Sequence, residues 1–262
     1  TGITNEDIID TPTVEGIETL VFKTSNNYTD LDNSFSIDLE KFSSFKEIIL
    51  SKNDESLSIQ NLELNSATGN IIADHGFLNI AITGISGEHV ELQVKEDASV
   101  QVDTDVQNLV VNGTGKSINL DTSNQGNIEI LDNSSVVLNA PNSIGDLKLT
   151  SNGNVEITDA SSLLGNAIIS AIGTVDINNI SALEGKLTVE NIRGPTGADV
   201  NIANANSAKS VEVKTVGAVI IDSTNGGLNE AESISITSSE DSTIIASKDI
   251  PRTVELEAIN IN

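Results

Sequence analysis

The chain contains no cysteine, methionine or tryptophan, and its 262 residues include one tyrosine and five phenylalanines. Without cysteine there is no disulfide, no thiolate nucleophile and no cysteine zinc site. Without large aromatic and sulphur side chains, irregular gaps in a core go unfilled. The 37% of hydrophobic residues must therefore pack as a regular aliphatic interior. The aromatics Phe22, Tyr28, Phe35, Phe42, Phe45 and Phe77 all lie in the first third, and residues 78–262 have none. This split predicts irregular, Phe-containing N-terminal coils or a cap over 1–77, continuous with a very regular part over 78–262.

Basic residues are also scarce. Thirteen Lys and Arg face 39 Asp and Glu, a formal net charge of −26. Phosphate recognition needs clustered cations, so no nucleic-acid partner is expected. An anionic membrane surface is disfavoured for the same reason. No apolar run is long enough for a membrane helix, so no membrane insertion is expected. No secretory leader is visible. The first residue is Thr1, and the chain stops in "VELEAININ", which reads as a strand. These ends suggest a piece of a longer protein. Such an acidic surface repels itself and attracts cations, with calcium the physical expectation.

Two interleaved series of apolar-x-apolar units run through the regular part. One begins at Leu109, Ile128, Leu147, Ala167, Leu187, Val211, Ile234 and Val254, at steps of 19–24 residues. The other begins at Ile118, Val136, Val155, Val175, Val200, Val219 and Thr243, at steps of 18–25. A period of two puts both apolar side chains of a unit on one face of a strand. Between units lie Asn, Asp, Ser, Thr and Gly, which turn corners by bonding their own backbone or tolerating positive φ. Short strands, polar corners and a period near twenty describe an all-β, parallel β-solenoid (β-helix) with coils of about 20 residues. "VEITDASSLLG" at Val155 is echoed by "VDINNISALEG" at Val175, one circuit later. Its Leu-x-Gly, at Leu163–Gly165 and Leu183–Gly185, reads as an inward corner followed by a bend. An antiparallel sandwich is the rival, weakened by strands this short and by the missing aromatics. In the first third, "DLEKFSSFKEIILS" admits one helical turn, but a capping coil is preferred because an open solenoid end exposes unpaired strand edges.

No pattern carries catalysis. No Gly-x-Ser-x-Gly elbow and no phosphate-binding Gly-rich loop is present. His75 and His89 are the only histidines and lack metal-ligand spacing. A polysaccharide-degrading β-helix enzyme would need basic and aromatic sugar contacts. Only Arg193 and Arg252 are arginines, and the regular part has no aromatics. The chain is therefore expected not to be an enzyme. Calcium sites take closely spaced oxygen ligands. Asp30 with Asp32, and Asp103 with Asp105, are the candidate ligands. The i, i+2 spacing puts Asp103 and Asp105 on one side of a strand. "SKNDES" and "SSEDS" are further acidic corners. Solvated acid is the alternative for each.

This Cys-free, acidic, Asn/Ser/Thr/Ala/Gly-rich chain, with strands such as "GNVEITDASSLLGNAIISAIGTVDINN", resembles the type I-secreted, RTX-type S-layer proteins of Gram-negative bacteria such as Caulobacter and Campylobacter. The resemblance lies in composition and rhythm over most of the chain. It implies a structural component of an extracellular cell-surface lattice, self-assembling with calcium. It also implies attachment to lipopolysaccharide through regions outside these residues. The chain is similar, too, to adhesin and autotransporter passenger stalks, which would bind a host or glycan target.

Overall fold

The computed structural model describes residues 19–23, 34–38, 47–51, 56–60, 69–75, 79–95, 97–124, 126–142, 145–160, 163–180, 183–191, 198–205, 208–223, 231–240, 242–246 and 253–258. They hold β1 (Thr19–Lys23), β2 (Ser34–Asp38), β3 (Glu47–Ser51), β4 (Ser56–Gln60), β5 (Gly69–His75), β6 (Asn79–Val94), β7 (Ala98–Asn112), β8 (Ser117–Thr122), β9 (Asn127–Asn133), β10 (Ser135–Asn139) and β11 (Leu147–Ser151). The series continues with β12 (Val155–Asp159), β13 (Ala167–Ala171), β14 (Val175–Ile177), β15 (Lys186–Asn191), β16 (Val200–Ile202), β17 (Ser210–Thr215), β18 (Val219–Ser223), β19 (Ser233–Ser238), β20 (Ser242–Ala246) and β21 (Thr253–Ala258).

The alternation of apolar and polar residues makes these segments strands, and their spacing decides which strands meet. Each pairs in parallel with the strand one coil away, giving two ladders. The even ladder runs β2–β4–β6–β7–β8–β10–β12–β14–β16–β18–β20. The odd ladder runs β1–β3–β5–β6–β7–β9–β11–β13–β15–β17–β19–β21. The chain is a parallel β-solenoid, and the two series of apolar units are its two ladders. β6 and β7 belong to both, because each continues round the corner without a turn.

Between the ladders lies one core of Val, Ile, Leu and Ala. Leu120, Leu138, Ile157, Ile177, Ile202 and Ile221 stack in register on the even side. Leu92, Val111, Ile130, Leu149, Ile169, Val189, Val213 and Ile236 do so on the odd side. Each residue rests on one of similar shape, about 4.8 Å away. A flat, repetitive interior needs no gap-filling methionine or tryptophan.

The described corners combine buried polar groups with inward aliphatic residues. At the ends of odd strands, Asn133, Ser151, Asn191, Thr215 and Ser238 are buried. The Ser151, Thr215 and Ser238 hydroxyls accept the N–H of Gly153, Gly217 and Glu240 at 3.0–3.1 Å, and each donates to a backbone carbonyl. Such a hydroxyl closes a turn in place of a backbone partner. Leu163 and Leu183 are fully buried, and the glycines after them stack. Gly145 donates to Gly126 O, and Gly165 to Gly145 O, both at 3.0 Å. A Cβ on Gly165 would lie 2.7 Å from Gly145 O, so only glycine fits. The Leu-x-Gly phrase is an inward corner followed by a bend.

Three details differ from expectation. β6 and β7, of 16 and 15 residues, are far longer than the short units expected, because each pairs in both ladders and carries strand pairing round the corner. In β20 the register pairs Ile221 with Ile244, which packs on the core. The inward set is therefore shifted by one from the expected Thr243 unit. Glu47–Ser51 is strand β3, paired on both sides, so the helical alternative fails there. The expected turn over 39–46 lies outside the described residues.

Candidate functional site

The outward surfaces of the two ladders differ in how they hold charge. On the even face, carboxylates are held by amides from a later rung. Asp121 Oδ1 accepts from Asn139 Nδ2 at 3.1 Å, and Glu156 Oε1 from Asn178 Nδ2 at 3.3 Å. Asp159 Oδ1 accepts from Asn179 Nδ2 at 2.9 Å, and Asp176 Oδ1 from Asn201 Nδ2 at 2.7 Å. Glu156 and Asp176 are direct register neighbours. An amide satisfies a carboxylate's lone pairs but leaves its charge uncompensated. The even strands from β8 to β20 contain no Lys or Arg.

On the odd face, carboxylates meet lysines. Lys148 Nζ lies 2.5 Å from Glu129, and Lys214 Nζ is 2.6 Å from Glu212 and 3.9 Å from Glu190. Lys186 also pairs with Glu212. Hydrogen bonds from Lys186 and then Lys214 hold the Glu212 carboxyl down at about 2, against an opposing push from burial. Glu212 in turn raises the Lys214 ammonium.

A third array runs along one corner. Asn127 donates to Asn108 Oδ1 and accepts from Asp146 N–H, both at 2.9 Å. Asp146 accepts from Asn166 N–H at 2.7 Å, and Asn166 from Lys186 N–H at 3.0 Å. Sequence reasoning treated these residues as turn formers only. The signal that would have found the array is the recurrence of Asn or Asp one residue before an odd-strand unit.

Of the four calcium candidates, Asp30 and Asp32 lie outside the described residues. Asp103 sits in β7 opposite Thr83, and its Oδ2 accepts from Gln101 Nε2 at 3.0 Å. Asp105 pairs through its backbone with Ser86, and its side chain lies outside the described residues. Asn53, Asp54, Glu55, Asp241, Arg193 and Arg252 also lie outside them. Among the described residues no three His, Cys, Asp or Glu side chains converge as a metal-holding group. His75 ends β5, whereas His89 precedes Val90 in β6, and Gly69 of β5 pairs with Val90. The two histidines therefore stand well apart along neighbouring strands, separated by roughly 20 Å. No protein-family model, curated protein or solved structure matches this chain.

Proposed function

We propose that this chain is a structural, non-catalytic β-solenoid rod of an extracellular bacterial cell-surface layer, assembling laterally in response to calcium. The observation that carries this reading is the even face. There Asp121, Glu156, Asp159 and Asp176 are fixed by amides rather than neutralised by lysines. Two such surfaces repel at low ionic strength. A hard divalent cation with oxygen ligands removes that repulsion. Calcium acts between copies in this reading. The aliphatic stacks supply stiffness, the property a lattice element needs.

Sedimentation velocity and thermal melting at near-physiological salt, in millimolar calcium and then in EGTA, test the proposal. Calcium-dependent higher-order species are expected, with a higher melting temperature. A monomer whose sedimentation and melting ignore calcium would overturn the lattice reading in favour of a passive stalk, as in an adhesin passenger. A glycan-binding or glycan-cleaving activity of the purified rod would overturn its structural assignment.

A further inference from the structure

We infer that Asn112 is an acceptor for an N-linked glycan, displayed by the turn that follows β7. This goes beyond the lattice reading and does not depend on it.

The sequence holds four Asn-x-Ser/Thr tripeptides, beginning at Asn27, Asn112, Asn133 and Asn179. N-glycosyl transfer reads that pattern, and it needs the pattern on an accessible surface loop. Asn27 lies outside the described residues. The fold separates the other three. Asn133 is 0% exposed at a corner, with both of its amide atoms enclosed. Asn179 is half-buried, and its amide is engaged at both ends. Its Nδ2 donates to Asp159 and its Oδ1 accepts from Asn204, each at 2.9 Å. Asn112 instead alternates with buried Val111 and Gly113, so its side chain points out of the core. Its Oδ1 accepts the Thr114 N–H at 3.0 Å, and no described residue accepts from its Nδ2.

The residues after Asn112 put this amide on display. Lys116 N–H donates to Gly113 O at 2.9 Å, and φ is +46° at Thr114 and +81° at Gly115. Two consecutive positive φ values closed by that bond make a type I′ turn. Glycine takes such a conformation freely, whereas a β-branched residue does so rarely. Thr114 is held there by its N–H on Asn112 and by its hydroxyl, which donates to Val94 O at 2.8 Å. Asparagine or glycine would close the same turn with less strain. Threonine supplies the hydroxyl that the tripeptide requires, and strain of this kind gathers at functional sites. Thr114 and Gly115 are exposed, and a Cβ on Gly115 would meet nothing within 4 Å. Open space therefore lies beside the acceptor.

The bond into Oδ1 also suits the chemistry. A donor on the amide oxygen favours the form in which that oxygen carries negative charge, so an Nδ2 proton leaves more readily. Nδ2 attacks the anomeric carbon of a nucleoside-diphosphate hexose. The N–C bond forms as the anomeric C–O bond breaks. The nucleoside diphosphate leaves with the electron pair, and one amide proton passes to a base of the transferase.

The test adds a soluble, tripeptide-reading N-glycosyltransferase and UDP-glucose to the folded chain in an N27Q background. A tryptic digest of the same chain serves as the unfolded comparison. Intact mass is expected to show one hexose per folded chain, mapped to Asn112, while the digest is modified at Asn133 and Asn179 as well. N112Q, checked for a native β spectrum, should receive none. T114G fits the turn, so it should keep the melting temperature and lose the transfer, whereas T114S should keep both. A folded chain left bare while its digest is modified would overturn the proposal. So would hexose on folded Asn133 or Asn179 in place of Asn112, a digest bare at Asn112, or undiminished transfer to T114G.

Discussion

Replacing Ile177 by Asp tests the interior most sharply. Ile177 is 1% exposed and stacks between Ile157 and Ile202. Removing its buried side chain costs about 1.5–3 kcal/mol. The new carboxyl cannot keep its charge between two isoleucines. A carboxyl that ionises near 3.9 in the unfolded chain must then be protonated at pH 7. At 1.36 kcal/mol per pH unit that adds about 4 kcal/mol. The total is about 6–7 kcal/mol at pH 7. Because the folded-state value is raised, the carboxyl part of the penalty is full above that value. It shrinks as pH falls and vanishes below about 3.9. Asp176 next door points outward, and D176N forfeits only a charge-assisted bond to Asn201, costing about 1 kcal/mol or less. The assay is denaturant unfolding followed by far-ultraviolet circular dichroism for parent, I177D, I177N and D176N at pH 7 and pH 4.5. Adjacent coils support one another, so the I177D transition is expected to split, with coils around β14 melting first. Equal stability of I177D and D176N at pH 7 would refute the facing. An I177D penalty unchanged at pH 4.5 would refute the charge-burial argument.

Three further outcomes follow from the corners and the odd face. G165A puts a Cβ against Gly145 O and Asp146 and should cost about 1–3 kcal/mol. G115A has open space but a φ of +81° and should cost about 1 kcal/mol. Equal melting temperatures for the two would contradict the stacked corner. Glu212, held at about 2 by Lys186 and Lys214, contributes stability that is present above its unfolded value and lost as pH falls through about 2. On so exposed a surface this amounts to about 1 kcal/mol at most. Carbon-detected NMR titration of its carboxyl should give a midpoint well below those of unpaired glutamates, and a midpoint near 4.5 would contradict the network. S238A leaves Glu240 N–H without its acceptor and should cost about 1–2 kcal/mol, read as faster amide exchange at Glu240. Unchanged exchange there would deny the hydroxyl its place in the turn.

The ladders were legible because inward and outward positions alternate strictly. The units at Leu109, Ile128 and Leu147 are consecutive register partners, as are those at Val155, Val175 and Val200. Leu163 and Leu183 were readable as inward corners because each precedes a glycine at the same coil interval. The shift in β20 was not readable, since in "STIIAS" two adjacent isoleucines fit either register and only pairing with Ile221 decides. The unbroken β6 and β7 escaped because a run such as "NIAITGISGEHVELQV" contains Gly-Ile-Ser-Gly, which reads as a turn. The charge difference between faces was hidden for another reason. Net charge sums the chain, whereas the faces emerge only once alternate strands are assigned to separate ladders. The amide–carboxylate pairs join residues 18–25 apart, beyond any local pattern.

The unbroken course of β6 and β7 bears on how the rod carries load. In the described corners elsewhere, such as those at Ser151 and Thr215, the chain passes from one ladder to the other through a turn whose hydrogen bonds can open singly. Here covalent backbone in extended form joins the two sheets directly. These strands also share the longest register run among the described residues, from Asn79 opposite Ser99 to Gln93 opposite Asn112. Tension applied along the axis would peel short-stranded coils one by one, each giving a small step. On reaching β6 and β7 it would have to shear both sheets together. In a surface layer under turgor or flow, that zone would behave as a mechanical clamp, setting the force at which the rod lengthens.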